Sequence, residues 1–134
     1  MGNKTTFIVA DCDKFSILLL EEIIQSLILQ EEDYQVIRTC SGKEVIRLCH
    51  EQNVCMILTE IKLIDMSGWE LNRQIKKKYP WIPVILQTAT VTNDLHKKVE
   101  KEGFNDYITK PIDLKKMVTK INKALEVKVL NDTR

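Results

Sequence analysis

The run Val54–Glu60, VCMILTE, carries five apolar residues in succession before it closes on a threonine and an acid. A strand with one wet face would alternate apolar and polar side chains; a run without alternation needs helices covering both faces. Pro83–Ala89, PVILQTA, has the same character. Between such runs lie segments with helical spacing, and that alternation predicts a parallel, doubly wound α/β sheet. The other strands are expected at Thr5–Asp11, Tyr34–Cys40 and Asn105–Lys110. The first helix should bury Leu20, Ile23, Ile24 and Leu27 on one face. Ser41–Glu44 and Ser67–Glu70 read as capping boxes that open the second and third helices, the third ending before Pro80. A fourth helix is expected over about Thr92–Glu102, stopped by Gly103. Asp113 caps a fifth that runs to about Glu126.

A chain of 134 residues suits a single domain spanning 1–134, with a core over about 5–126 and a frayed tail at 127–134. A net charge of +1 gives no bias toward nucleic acid or membrane, and no DNA-binding segment is expected after Glu126. No apolar run has the length of a membrane span or a signal peptide, so a cytoplasmic location is expected. Gly2 and Thr6 match a myristoylation pattern, but Thr6 already opens a strand. Cysteines at 12, 40, 49 and 55 lack the close spacing of a zinc site or redox dithiol, and without a secretory signal no disulfide framework is expected. Cys40, Cys49 and Cys55 read as small buried apolar residues.

In a sheet of this kind, sites form outside the carboxyl ends of the strands. Those ends are Asp11, Glu60, Thr88 and Lys110: two acids, a hydroxyl and an ammonium, with Asp13 and Lys14 in the loop after the first strand. That loop, DCDKFS, contains no glycine cradle for a nucleotide phosphate. No Ser-His-Asp or Cys-His arrangement is present, and His50 and His96 fall on helices with exposed positions expected. The expectation is a binding pocket, not an enzyme.

The stretches FIVADCD, ILTEIKLIDMSGWEL, PVILQTA and GFNDYITKPID resemble the receiver domain of a bacterial two-component response regulator, from Phe7 to about Leu125. The resemblance implies a flavodoxin-like (βα)5 three-layer sandwich with strand order 2-1-3-4-5. It also implies a cis bond between Lys110 and Pro111. In that family a strand-end aspartate accepts a phosphoryl group, an acidic pair and the acceptor hold Mg²⁺, and a Ser/Thr and a lysine bind the phosphoryl oxygens. Thr88 and Lys110 match the last two, Asp11 the first acid, and Tyr107 the aromatic switch.

Two positions depart from the family's pattern. Glu60 stands where the acceptor aspartate belongs, and Cys12 where the second acid belongs, with Asp13 the next residue along. Mg²⁺ demands oxygen ligands in near-octahedral geometry, and a thiol replaces one poorly. The ligands left are Asp11, Glu60 and the Lys62 backbone carbonyl, so Mg²⁺ binding is expected to be weak or absent. One added methylene also displaces the nucleophile, and an error of about 1 Å can cost roughly a hundredfold. The expected function is a phosphorylation-independent interaction module in phosphorelay signalling. In it Glu60 would imitate a phosphoaspartate by pairing with Lys110 and hydrogen-bonding Thr88, with Tyr107 buried and Lys62 supplying some of the missing positive charge. The alternatives are a working phosphoacceptor with a relaxed metal site and a redox switch at Cys12.

The resemblance implies a sensor histidine kinase, phosphotransfer protein or output protein as partner. It also implies a homodimer through the fourth helix, fifth strand and fifth helix. There Lys115, Lys116, Lys120 and Lys123 would meet Glu100 and Glu102 of the second copy. Ile17, Leu18, Ile28 and Leu29 exceed what a one-faced first helix needs and mark a candidate docking patch.

Overall fold

In the computed structural model, which describes residues 4–28 and 34–132 with side chains as far as residue 126, five parallel strands pair in the order β2-β1-β3-β4-β5. The elements are β1 (Thr5–Ala10), α1 (Lys14–Ile23), β2 (Tyr34–Thr39), α2 (Gly42–Glu51), β3 (Asn53–Thr59) and α3 (Gly68–Lys78). They continue with β4 (Val84–Thr88), α4 (Leu95–Lys101), β5 (Asp106–Thr109) and α5 (Leu114–Asp132). This is the flavodoxin-like doubly wound arrangement expected from the sequence. Each parallel crossover needs a helix, and the helices divide between the two faces.

One core cluster joins Ile8, Ile57, Val84 and Leu86 of the sheet to Val45 and Leu48 of α2, Leu71 and Ile75 of α3, and Leu95 and Val99 of α4. The other joins Phe7, Val9, Met56, Leu58 and Ile85 to Leu20 and Ile23 of α1 and Met117 and Ile121 of α5. β3 and β4 are therefore buried on both sides, which is why neither alternates.

The expected serine and aspartate caps are made, but the boxes are not completed: Ser41 N donates to Thr39 Oγ1 (3.1 Å), and the Glu70 carboxylate takes Arg73 and Gln74. Ser41 Oγ accepts from Glu44 N (3.2 Å) and Ser67 Oγ from Glu70 N (3.1 Å). Asp113 Oδ1 accepts from Lys116 N (3.0 Å), and Gly103 ends the α4 turn with φ of +80°. The strands end within a residue of expectation, and three helices differ by more. The first helix continues as a π-helical segment (Ile24–Ile28); its wider turn rotates the following positions, so Ile24 stays buried while Leu27 is 47% exposed. The fourth helix starts at Leu95 rather than Thr92, because Thr92 Oγ1 donates to Asp94 Oδ1 (2.8 Å) in a local turn. The fifth runs to Asp132, past the expected end at Glu126. Gly2 of the myristoylation pattern and Leu29 of the helix patch lie outside the described residues.

The strand register sets where the site forms. Thr39, Ala10 and Thr59 pair in one row across β2, β1 and β3. The next residues, Cys40, Asp11 and Glu60, therefore emerge together just beyond the sheet. On the other side Thr88 pairs with Thr109, so Lys110 leaves the sheet beside the end of β4.

Candidate functional site

Asp11 is pinned from both oxygens. Asp13 N donates to Oδ1 (2.9 Å) and Lys110 Nζ to Oδ2 (2.8 Å). Glu60 is also held twice: Oε1 accepts from Ile61 N (2.7 Å), and Lys110 Nζ lies 3.0 Å from Oε2. One ammonium thus bridges two acids. Its side chain is 13% exposed, against 2% for Asp11 and 15% for Glu60. Burial pulls the Lys110 pKa down, but hydrogen bonds and charge from Asp11 and Glu60 outweigh it and hold the group above the ordinary lysine value. The Lys110–Pro111 bond is cis, as the resemblance implied.

Asp13 does not join them. Its carboxylate caps α1, accepting from Ser16 Oγ (2.7 Å) and Phe15 N (3.3 Å). The Ser16 hydrogen bond is the main reason its pKa lies below the usual carboxylate value.

The loop after β3 is built to hold Glu60. Gly68 N donates to Ile61 O (2.6 Å), and a Cβ at Gly68 would collide with the Glu60 carbonyl oxygen. Only glycine permits so close an approach of backbone to backbone. Asp65 fastens the loop to the start of α2. Its oxygens accept from Gly42 N (2.8 Å), Lys43 N (3.0 Å) and Ser41 Oγ (2.8 Å), and the Lys43 bond foremost brings its pKa down to about 2. Sequence reading missed Asp65, because its partners lie more than twenty residues away and no local spacing links them.

Lys62 is exposed, and its ammonium makes no ion pair with Glu60 or Asp11 among the described residues. The expectation that it supplies charge to the pocket is corrected: Lys110 does so. Lys62 contributes its carbonyl oxygen, 3.9 Å from Cys12 Sγ.

The cysteines overturn a second expectation. Cys12 and Cys40 form a disulfide, with Cα atoms 5.0 Å apart, inside the usual range. Cys40 is therefore a half-buried cross-link rather than a buried apolar filler. Its signal was available: both cysteines lie just past the ends of strands that a 2-1-3-4-5 order makes neighbours. Cys49 and Cys55 are buried as expected.

The Thr88 carbonyl accepts from Lys110 N (2.7 Å), but the Thr88 and Tyr107 side chains make no hydrogen bond with this cluster. Thr88 is fully buried and its Oγ1 accepts from Thr90 N (3.0 Å); it makes no hydrogen bond with Glu60. Tyr107 is half-buried rather than buried, its ring 5.9 Å from that of His96 and beneath Lys120 Nζ at 5.6 Å. Beside Thr88, Gln87 is fully buried with neither amide atom hydrogen-bonded. His50 and His96 are exposed, as expected.

Two surfaces flank the pocket. A groove of about 570 Å³ opens beside Asp13 and Lys110, walled by Phe15, Leu19, Pro111 and Ile112; Phe15 is 74% exposed. Neither Phe15 nor Ile112 stood out in the sequence. Leu18 of the expected patch is 59% exposed, whereas Ile17 and Ile28 are half-buried. On the α4–β5–α5 face, Glu102 is taken by Arg73 of the same chain in two hydrogen bonds of 2.8 Å, so it is not available to a second copy as expected. Lys120 is likewise paired with Asp106 (2.8 Å).

A parallel sheet with acids and a lysine gathered outside its carboxyl ends is the arrangement that the resemblance to receiver domains implied. The family model for the response regulator receiver domain matches residues 9–122, and the chain belongs to that family. It is similar to the polar-differentiation response regulator DivK of Brucella ovis (strain ATCC 25840 / 63/290 / NCTC 10512), 30% identical over 124 residues, which cover 91% of this chain and 96% of DivK. It is also similar to the transcriptional regulatory protein GlrR of Escherichia coli (strain K12), 30% identical over 98 residues. That match covers 73% of this chain but only 22% of GlrR. Among solved structures, the signal receiver domain of an HD domain-containing protein from Pseudomonas fluorescens Pf-5 superposes with a TM-score of 0.85 at 21% identity, covering 100% of this chain and 96% of that one. A BeF3-activated DrrB receiver domain superposes with a TM-score of 0.78 at 26% identity, covering 92% and 98%.

Proposed function

We propose that this receiver is a protein-interaction module whose pocket is held by its own charges instead of an added phosphoryl group. The observation that carries the reading is the Lys110 ammonium, 3.0 Å from Glu60 and 2.8 Å from Asp11. Glu60 reaches the lysine that the resemblance assigns to a phosphoryl oxygen. The imitation stops there, because Thr88 turns to Thr90 N and Tyr107 is only half-buried. The module is accordingly a standing scaffold, not an enzyme and not a receiver fixed in a fully activated form.

The same geometry speaks against Mg²⁺. Each oxygen of Asp11 and Glu60 already accepts from, or is ion-paired with, a protein N–H or ammonium. A bonded sulfur stands beside the Lys62 carbonyl, the third candidate ligand. A cation that needs six oxygens in near-octahedral array does not fit this set. Its partners are a sensor kinase, a phosphotransfer protein or an output protein, with the Phe15–Ile112 groove and the exposed Leu18 as the docking side. A second copy could meet the α5 lysines through Glu100, and such exposed pairs are weak and screened by salt. The module acts at the cytoplasmic side of a signalling pathway and contacts neither DNA nor lipid itself.

The test is to incubate the protein with an acyl phosphate and Mg²⁺ and weigh it intact. The parent is expected to keep its mass, and the double variant Cys12→Asp with Glu60→Asp to gain one phosphoryl group. A phosphorylated parent would overturn the proposal and establish the second reading, a working phosphoacceptor. That reading draws on Thr88 and Lys110, which close β4 and follow β5 where phosphoryl oxygens would be bound.

A further inference from the structure

We propose that Cys12 and Cys40 are a reversible dithiol–disulfide switch that ties or releases the loops around the pocket. This goes beyond the reading above and holds whether or not the pocket accepts a phosphoryl group.

The two cysteines belong to different loops. Cys12 lies between Asp11, which holds Lys110, and Asp13, which caps α1. Cys40 follows β2, and its carbonyl accepts from Ile64 N (3.0 Å) of the loop after β3. The bond therefore joins the start of α1 to the loop after β2, which is itself hydrogen-bonded to the loop that carries Glu60. Cys12 Sγ also stands 3.9 Å from the Lys62 carbonyl in that loop. Hydrogen bonds Asp11 N to Thr39 O (3.0 Å) and Glu60 N to Ala10 O (2.9 Å) fix the strand ends without it. The frame thus survives reduction, and the loops outside it gain freedom.

Access favours this pair over the other cysteines. Cys12 is exposed and Cys40 half-buried, whereas Cys49 and Cys55 are buried. Burial also pushes the Cys49 thiol up to about 12, so it supplies little thiolate. The oxidant is a small disulfide, RSSR. The Cys12 thiolate attacks one of its sulfurs and expels RS⁻, leaving a mixed disulfide on Cys12. The Cys40 thiolate then attacks the Cys12 sulfur and expels the second RS⁻. The pair loses two electrons to RSSR, its two protons pass to the two thiolates released, and the products are the protein disulfide and two RSH. Excess thiol runs the sequence backward.

The experiment equilibrates the full chain in glutathione buffers from strongly reducing to strongly oxidising, quenches with acid, and alkylates under denaturing conditions for mass mapping. Cys12 and Cys40 are expected to lose their alkyl groups together, both labelled at the reducing end and both protected at the oxidising end. Cys49 and Cys55 should be labelled throughout. Hydrogen exchange on the same samples should show Ile64 and Asp13 amides exchanging several-fold faster in the reduced form, with the β3 and β4 amides unchanged. Cys12→Ser and Cys40→Ser, made separately, should each give the fast exchange in every buffer; if one fails to fold, the other and the parent still decide. A bond that persists at the reducing end is a static staple, and cysteines that never protect one another are no pair; either result overturns the proposal. So does a full redox titration with no change in exchange. None of these outcomes alters the phosphodonor result, so the two proposals fail separately.

Discussion

The pocket has two halves that its sequence lines up equally and its structure treats differently. At the ends of β1 and β3, Asp11 and Glu60 lock onto the Lys110 ammonium, which reaches across from the end of β5, with every carboxylate oxygen engaged. On the β4–β5 side, the Thr88 hydroxyl accepts only from Thr90 N of its own turn, Tyr107 leans on His96, and the Gln87 amide is buried without a hydrogen-bond partner. One half is electrostatically complete; the other carries an uncompensated polar group, and although Lys110 N donates to the Thr88 carbonyl (2.7 Å), the Thr88 hydroxyl makes no hydrogen bond to the first half. Charge placed at the acceptor position can thus satisfy the lysine without drawing the hydroxyl and the aromatic with it. The Glu60 carboxylate faces Ile61 N through Oε1 and Lys110 through Oε2, with no hydroxyl donor among its partners.

Breaking the first half should have the largest effect. Lys110→Met leaves two adjacent buried carboxylates without their cation, and removing one partner of such a pair costs about 3–5 kcal/mol. Urea denaturation at neutral pH should show that loss. A loss well below about 1 kcal/mol would mean that the two carboxylates do not depend on that ammonium.

Changing the second half should act in the opposite direction. Gln87→Leu removes two unsatisfied buried polar atoms and should stabilise the fold by about 1–2 kcal/mol, given a typical cost of ~1–3 kcal/mol for one such group. A rise in thermal midpoint checks it; a fall would mean that an ordered water already serves the amide.

The smallest stability effect belongs to the loop between them. Asp65→Ala removes the acceptor at the start of α2 and should cost about 1 kcal/mol, the usual worth of a helix cap. The Asp65 pKa is depressed in the folded state to about 2. Its stabilisation is therefore complete above the ordinary aspartate pKa and is lost as pH falls from about 4 toward 2. The parent and the variant should converge in stability across that interval, read by denaturation at stepped pH.

What the sequence showed and hid follows the range of the interactions. The Ser41, Ser67 and Asp113 caps are encoded within three residues and were legible, although the glutamate arms of the two boxes are not made. So were β3 and β4, whose unbroken apolar runs state that both faces are covered. Asp11, Glu60 and Lys110 were legible as a group because each closes a strand and the strand order brings those ends together. The Cys12–Cys40 bond was legible only in part: both cysteines follow the ends of neighbouring strands, but the bond also needs the register of β1 against β2. Leu27 was misplaced because a π-helical turn breaks the 3.6-residue period on which its burial was judged. Thr88 was placed at the right end of the right strand, but which partner a hydroxyl chooses depends on ångström-scale loop geometry that no spacing records.

The separation of the two halves is tested most directly by Glu60→Gln, which removes the charge and keeps the shape. With the variant and the parent compared by NMR under identical conditions, the account predicts shifts at the Lys110 side chain and the Ile61 amide, while the Tyr107 ring and the Thr88 methyl keep the parent's signals. A Tyr107 ring that moves when the Glu60 charge is removed would contradict it, and would show that the glutamate controls the switch face after all.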